Sequence, residues 1–155
     1  MKGNKRIYAV GVALFVLFCA AFVEAHGDKA DKAETITVSD AYIQEVPPGA
    51  ANSAAYMEIK NVGSGNRTLT AVSSPICRAA ELHRSSHKGG LMRMEMVDSV
   101  EIKGGESVRL KPMGLHLMLI GLKSSLKRGG EAPLNLTFRD GTTVTVNARV
   151  GKGTP

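Results

Sequence analysis

The chain has 155 residues, 43% of them apolar but only 5% aromatic, and a formal charge of +6. That length favours one domain, and a basic excess spread out without a Lys/Arg run or interleaved aromatics argues against a nucleic-acid interface. Of the two cysteines one falls in the N-terminal leader, so the rest of the chain can hold neither an internal disulfide nor a Cys-x-x-Cys exchange pair.

The leader has the three parts of an export signal. Lys2, Lys5 and Arg6 precede the apolar run Ile7 to Val23, and Val23-Glu24-Ala25 offers a cleavage site. The run is long for a cleaved signal, so an uncleaved membrane anchor is the alternative. Cys19 raises a lipid-anchored reading, against which stands the bulky Phe18 where a small residue is expected. With residues 1–25 removed, +6 less the leader's +2 leaves +4, enough to help steer the domain to an acidic partner. His26 then becomes the N-terminus, where amine and ring together suit a secondary Cu(II) site. Residues 26–34 otherwise read as a flexible polar segment.

The domain itself runs over residues 35–150, followed by a polar tail, 151–155. Thr35 to Ile43 alternates as a strand stopped by Pro47-Pro48-Gly49, and Ala54 to Lys60 is a second strand, ended by the glycine-containing stretch 61–66. Thr68 to Val72 follows, then a short strand from Ala79 to His83. Lys88-Gly89-Gly90 turns the chain into Leu91 to Val97, with Val100 to Ile102 expected to continue that edge. Ser107 to Leu110 leads through the Pro112-Met113-Gly114 turn into a strand around His116. Gly121 to Lys127 reads as a helical turn. Leu134, Leu136 and Phe138 alternate, as do Val144, Val146, Ala148 and Val150, and Asp140-Gly141 between them is a hairpin signal, because a tight turn needs positive φ. Many short strands without a long helical pattern predict an all-β antiparallel sandwich or barrel.

Within this pattern Gly114-Leu115-His116-Leu117-Met118-Leu119 stands out. A strand has period two, so His116 and Met118 share one face while the leucines pack on the other. Glu81-Leu82-His83 and Leu91-Met92-Arg93-Met94 supply another imidazole and another thioether. Two neutral nitrogens and two neutral sulfurs suit Cu(I), since soft thioethers select soft ions. They also bind it without deprotonation, whereas a thiolate in an oxidising compartment is at risk of disulfide formation. Imidazole ligands must be neutral, so binding is expected to weaken in acid. Met92, Met94 and Met96 alternate on one strand face, Met92 and Met96 being expected as a buried stripe rather than auxiliary ligands. Met57 and Met113 are assigned to packing and Cys77 to a small buried hydrophobe.

Other metal readings are weaker. His83 and His87 have helical zinc spacing, but Ser85-Ser86 and Gly89-Gly90 make a poor helix and no Glu lies between the histidines. His87 is therefore placed in a loop. A blue-copper centre needs two His and a Cys on one copper, and Cys77 has no compact Cys-His-Met loop.

The spacing of His83, Met94, His116 and Met118 resembles the motif of the PCu(A)C family of periplasmic copper chaperones. Ala55-Tyr56-Met57, Ser74-Pro75, Met92-Arg93-Met94 and Gly114 to Lys123 agree with it. The resemblance implies a cupredoxin-like, Greek-key β-sandwich or barrel in which those four residues ligate Cu(I). It implies a periplasmic carrier, not an enzyme, that delivers copper for assembly of the cytochrome c oxidase copper centre. The oxidase copper subunit or a Sco-type copper protein would be the partner. Arg84 stands where many members have a further Met. A monomer is expected, with membrane contact only through an uncleaved leader. Copper buffering or resistance is the alternative function, and a metal-free interaction module the other. No nucleophile–base pair points to catalysis, and four ligands leave no open position for a substrate.

Overall fold

A computed structural model describes residues 35–152 of the chain. The leader 1–25 with Cys19, the segment 26–34 with its candidate Cu(II) residue His26, and the tail from 153 onward lie outside the described residues. Ten strands follow one another within the described residues: β1 (Ile36–Gln44), β2 (Asn52–Asn61), β3 (Arg67–Ser73), β4 (Cys77–Lys88), β5 (Leu91–Met96), β6 (Val100–Ile102), β7 (Ser107–Leu110), β8 (Leu115–Leu122), β9 (Glu131–Phe138) and β10 (Thr143–Gly151). Among these residues no helix is long and apolar enough to cross a membrane.

Seven strands close on themselves in the order β4-β8-β2-β1-β10-β9-β3 and back to β4. The all-β barrel expected from the alternation is thus present. Its pairs are antiparallel except β1–β10, which is parallel. Alternation explains the core: Ala55, Met57 and Ile59 of β2, Leu117 and Leu119 of β8, Leu134, Leu136 and Phe138 of β9 all point inward and are buried. Cys77 is buried there too, and burial raises its thiol pKa.

One irregularity matters for the outer surface. In the β1–β2 ladder Ser39 faces Glu58 but Tyr42 faces Tyr56, so β1 carries one extra residue between them. Asp40 sits at the irregularity with φ 53°. A one-residue insertion inverts the phase of a strand. It puts Ile43 into the core and Tyr42 outside, where the ring lies 5.0 Å from that of Tyr56.

Strands β7 and β8 lie end to end along one edge of β2. Between them Lys111-Pro112-Met113-Gly114 loops out, its ends tied by the Lys111 amide donating to the Leu115 carbonyl at 2.7 Å.

Several expectations need correction. β4 is not short but runs on through Ser85, Ser86 and His87, so His87 is a strand residue rather than a loop residue. The Ser pair is held extended by pairing with β5, a contact local propensity does not register. β6 does not extend the β5 edge; it pairs with β3. Gly121 to Lys127 contains no helical turn, since its first two residues finish β8. Met92 and Met96 are exposed, not a buried stripe, because β5 pairs only with β4 and packs neither face. Met113 is likewise exposed at the tip of its loop, with φ 65°.

Candidate metal centre

Register builds the site. β4 and β8 pair without a shift from Cys77↔Leu122 to Arg84↔Leu115, which sets His83 directly opposite His116 and Glu81 opposite Met118. Leu82, Leu117 and Leu119 on the alternate positions anchor both strands in the core. The two imidazoles therefore stand side by side on the outer face of the barrel, ring centroids 5.9 Å apart and tilted 52°. His116 is nevertheless only 4% exposed. On its other side Tyr56 lies 6.4 Å away, ring to ring. Burial, and secondarily Tyr42, raises the Tyr56 pKa, so its hydroxyl stays un-ionised near neutrality.

Each ring has one nitrogen committed and one free. Nδ1 of His116 lies 3.0 Å from the Gly114 carbonyl. A carbonyl only accepts, so this nitrogen carries the hydrogen and Nε2 presents a lone pair. Nε2 of His83 lies 2.8 Å from a Glu81 carboxylate oxygen, and its Nδ1 is buried without a hydrogen-bond partner. A buried, unpartnered imidazole nitrogen is costly. A metal ion would satisfy it, and an acceptor on the opposite nitrogen is how ligating histidines are usually held.

The methionines complete the patch from two sides. Met118 is two residues from His116 on the same strand face and half-buried. Across the β4–β5 hairpin, Met96 faces His83 and Met94 faces Ser85. All four residues singled out by their spacing, His83, Met94, His116 and Met118, thus fall on one surface, but Met96 is nearer to His83 in register than Met94 is. No cluster of three or more His, Cys, Asp or Glu that could hold a metal ion exists among the described residues; the neighbouring side chains that could add donors to the two imidazoles are the methionines. Sequence reasoning passed over Glu81 and Tyr56 as parts of the site. The two-residue spacing of Glu81 and His83 was the available signal for the first, while Tyr56 is brought in by the β2–β8 register alone.

The chain is thus a seven-stranded closed β-barrel that carries two opposed histidines and flanking methionines on its outer wall, and comparison with known proteins gives the family of the barrel. Residues 36–150 match the family model described as "LpqE-like: Putative lipoprotein LpqE-like", and the chain belongs to this PCu(A)C-type family. It is 32% identical over 150 residues to "Putative lipoprotein Lxx21020" of Leifsonia xyli subsp. xyli, covering 94% of this chain and 89% of that one. Among solved structures it is similar to CuI-DR1885 from Deinococcus radiodurans, at 32% identity and TM-score 0.62, covering 81% of this chain and 86% of that one. The copper-bound PCuAC domain from PmoF2, 20% identical with TM-score 0.63 over 76% of this chain and 93% of that one, shares the fold.

Proposed function

We infer that the chain is an exported copper carrier that holds Cu(I) between His83, His116, Met118 and Met94. The observation that carries this reading is the facing pair of imidazoles, each with one nitrogen held by an acceptor and the other left with a free lone pair. A soft ion with two nitrogens and two thioethers needs no proton released on binding and acquires no counter-charge from its ligands. Such a complex remains cationic and exchangeable, which fits cargo better than a permanent cofactor. The Cu(I) state named for the Deinococcus relative supports the same choice of ion.

The family's description as lipoprotein-like and the signal-like leader support an exported, envelope-associated protein, in the periplasm on this reading. The copper would go to the cytochrome c oxidase copper centre, through the copper subunit itself or a Sco-type protein.

The test is a Cu(I) titration of the full chain, kept in mild detergent, against a competing chelator. One tight equivalent is expected, lost in a His116→Ala/Met118→Ala variant that still gives the parent's far-UV circular dichroism. A parent that takes no tight equivalent ends the carrier reading. Met94→Leu should weaken binding; if it does not and Met96→Leu does, the fourth ligand moves two residues along β5.

A further inference from the structure

The β4–β5 arm carries donors that the facing imidazoles do not use. Across it Met92 stands opposite His87, Met94 opposite Ser85 and Met96 opposite His83. Strand alternation puts all of these on the face that bears His116 and Met118, with Arg84, Ser86, Arg93 and Glu95 on the other. Two His–Met cross pairs therefore lie four residues apart, about 13 Å at 3.3 Å per residue, with Met94 midway. Directly opposed residues have Cβ atoms about 4.5–5.5 Å apart and diagonal ones about 7–8 Å, within reach of long side chains. A single ion can accordingly meet His87, Met92 and Met94 together.

Packing gives these methionines no reason to be there. Met92, Met94 and Met96 are 52%, 51% and 65% exposed, so little of the free energy of burying a thioether side chain is realised. His87 is exposed as well. The turn that brings the two strands together has positive φ at both Gly89 and Gly90, the geometry a two-residue hairpin loop requires. The register of the arm is thereby set by the turn, independently of any core contact.

We propose that His87 and Met92, with Met94 shared, form a second, outer Cu(I) site on the arm, from which the ion steps to and from the His83–His116 pair. This rests on the carrier reading and adds a route to it. In the inward step the bonds from copper to the His87 nitrogen and the Met92 sulfur break. Bonds to the free nitrogens of His83 and His116 and to the Met118 sulfur form, and Met94 stays bound throughout. Copper remains Cu(I), and neutral donors exchange for neutral donors, so neither an electron nor a proton changes hands. An outer site open to water binds more weakly and exchanges faster than the more sheltered inner pair, in which His116 is buried and His83 partly so.

The full chain is titrated anaerobically with Cu(I) against a chromogenic chelator, beside His87→Ala/Met92→Ala and His116→Ala/Met118→Ala. The parent should take one tight equivalent and, with Met94 then engaged by the first, a second on His87 and Met92 alone, held about tenfold or more weaker, roughly one 1.4 kcal/mol step. His87→Ala/Met92→Ala should keep the first, lose the second and unload to excess chelator several-fold more slowly. The Met92 ε-methyl resonance should move only with the second equivalent. A parent with a single equivalent, or a His87→Ala/Met92→Ala variant that keeps both and unloads at the parent's rate, overturns the outer site and leaves the carrier reading standing. A His116→Ala/Met118→Ala variant that keeps the tight equivalent overturns the carrier reading, and the route with it.

Discussion

Glu81 does for His83 what the Gly114 carbonyl does for His116: each occupies one ring nitrogen and thereby exposes the other. The acceptors differ in kind, because Gly114 is fixed by the backbone while Glu81 is a partly exposed side chain. Glu81→Ala should therefore release the His83 ring and weaken Cu(I) binding by about 10–100-fold, the usual cost of losing such a partner. Glu81→Gln, which can still accept through its amide oxygen, should lose less. Chelator competition on both variants checks the order, and equal losses would mean that charge rather than orientation is what Glu81 supplies. At this scale much was legible beforehand. His116 and Met118 two apart in an apolar strand, and Glu81 and His83 two apart in another, are period-two signals readable from the chain alone. That Met96 rather than Met94 faces His83 was not, since it depends on a hairpin register set by Gly89 and Gly90.

The end of β2 away from the imidazole pair is held by loops as well as by strand pairing. Asn61 at the end of β2 is fully buried, and its amide donates to the carbonyls of Gly65 and Ile102 while its oxygen accepts from the Gly63 amide. It binds together two loops that sequence reading treated only as breaks. Gly104 lies where these loops touch: a Cβ there would come within 2.2 Å of the Ser64 carbonyl oxygen, a backbone atom that cannot swing aside. Gly104→Ala should lower stability by about 1–3 kcal/mol through overpacking, read as a drop in the denaturation midpoint, with the Cu(I) affinity of the folded fraction unchanged. Strand existence followed from alternation and turn residues almost throughout. Strand length failed in β4, where Ser85 and Ser86 favour turns in isolation and are extended only because β5 lies alongside. The phase change in β1 was present in the sequence, where Ile36 and Val38 on even positions give way to Ile43 on an odd one, but without a partner strand it could not be recognised as a bulge.

For the molecule as a whole, closure depends on contacts far apart in the chain, the parallel β1–β10 pair and the β3–β4 contact at Val72↔Ala80. Neither is written in local periodicity, so the barrel's closing seams were beyond sequence reading although its class was not. A closed wall also makes the site's geometry depend on the common core. Phe138, fully buried on β9, should cost about 3–5 kcal/mol on replacement by Ala. Cys77 reports such openings, because its buried thiol can be alkylated only when the barrel opens. Labelling should be slow in the parent and far faster in Phe138→Ala; equal rates would mean that Cys77 is reached by local fraying instead. The raised Cys77 pKa sets a sign for pH. Its contribution to stability is complete below the ordinary thiol range near ~8.5 and is lost as pH rises through the folded value.

The looped-out segment between β7 and β8 has a consequence for engineering. Because the Lys111 amide and Leu115 carbonyl close its base, and β7 and β8 each keep their own register with β2, residues at its tip are decoupled from the barrel. Loop entropy rises slowly with length, about 0.6 kcal/mol per doubling. Foreign sequence grafted at Pro112-Met113 should therefore be carried at small cost, right beside the imidazole pair. As long as Gly114 keeps its carbonyl on His116 and Ser85, the graft changes what the protein can recognise without moving what it holds.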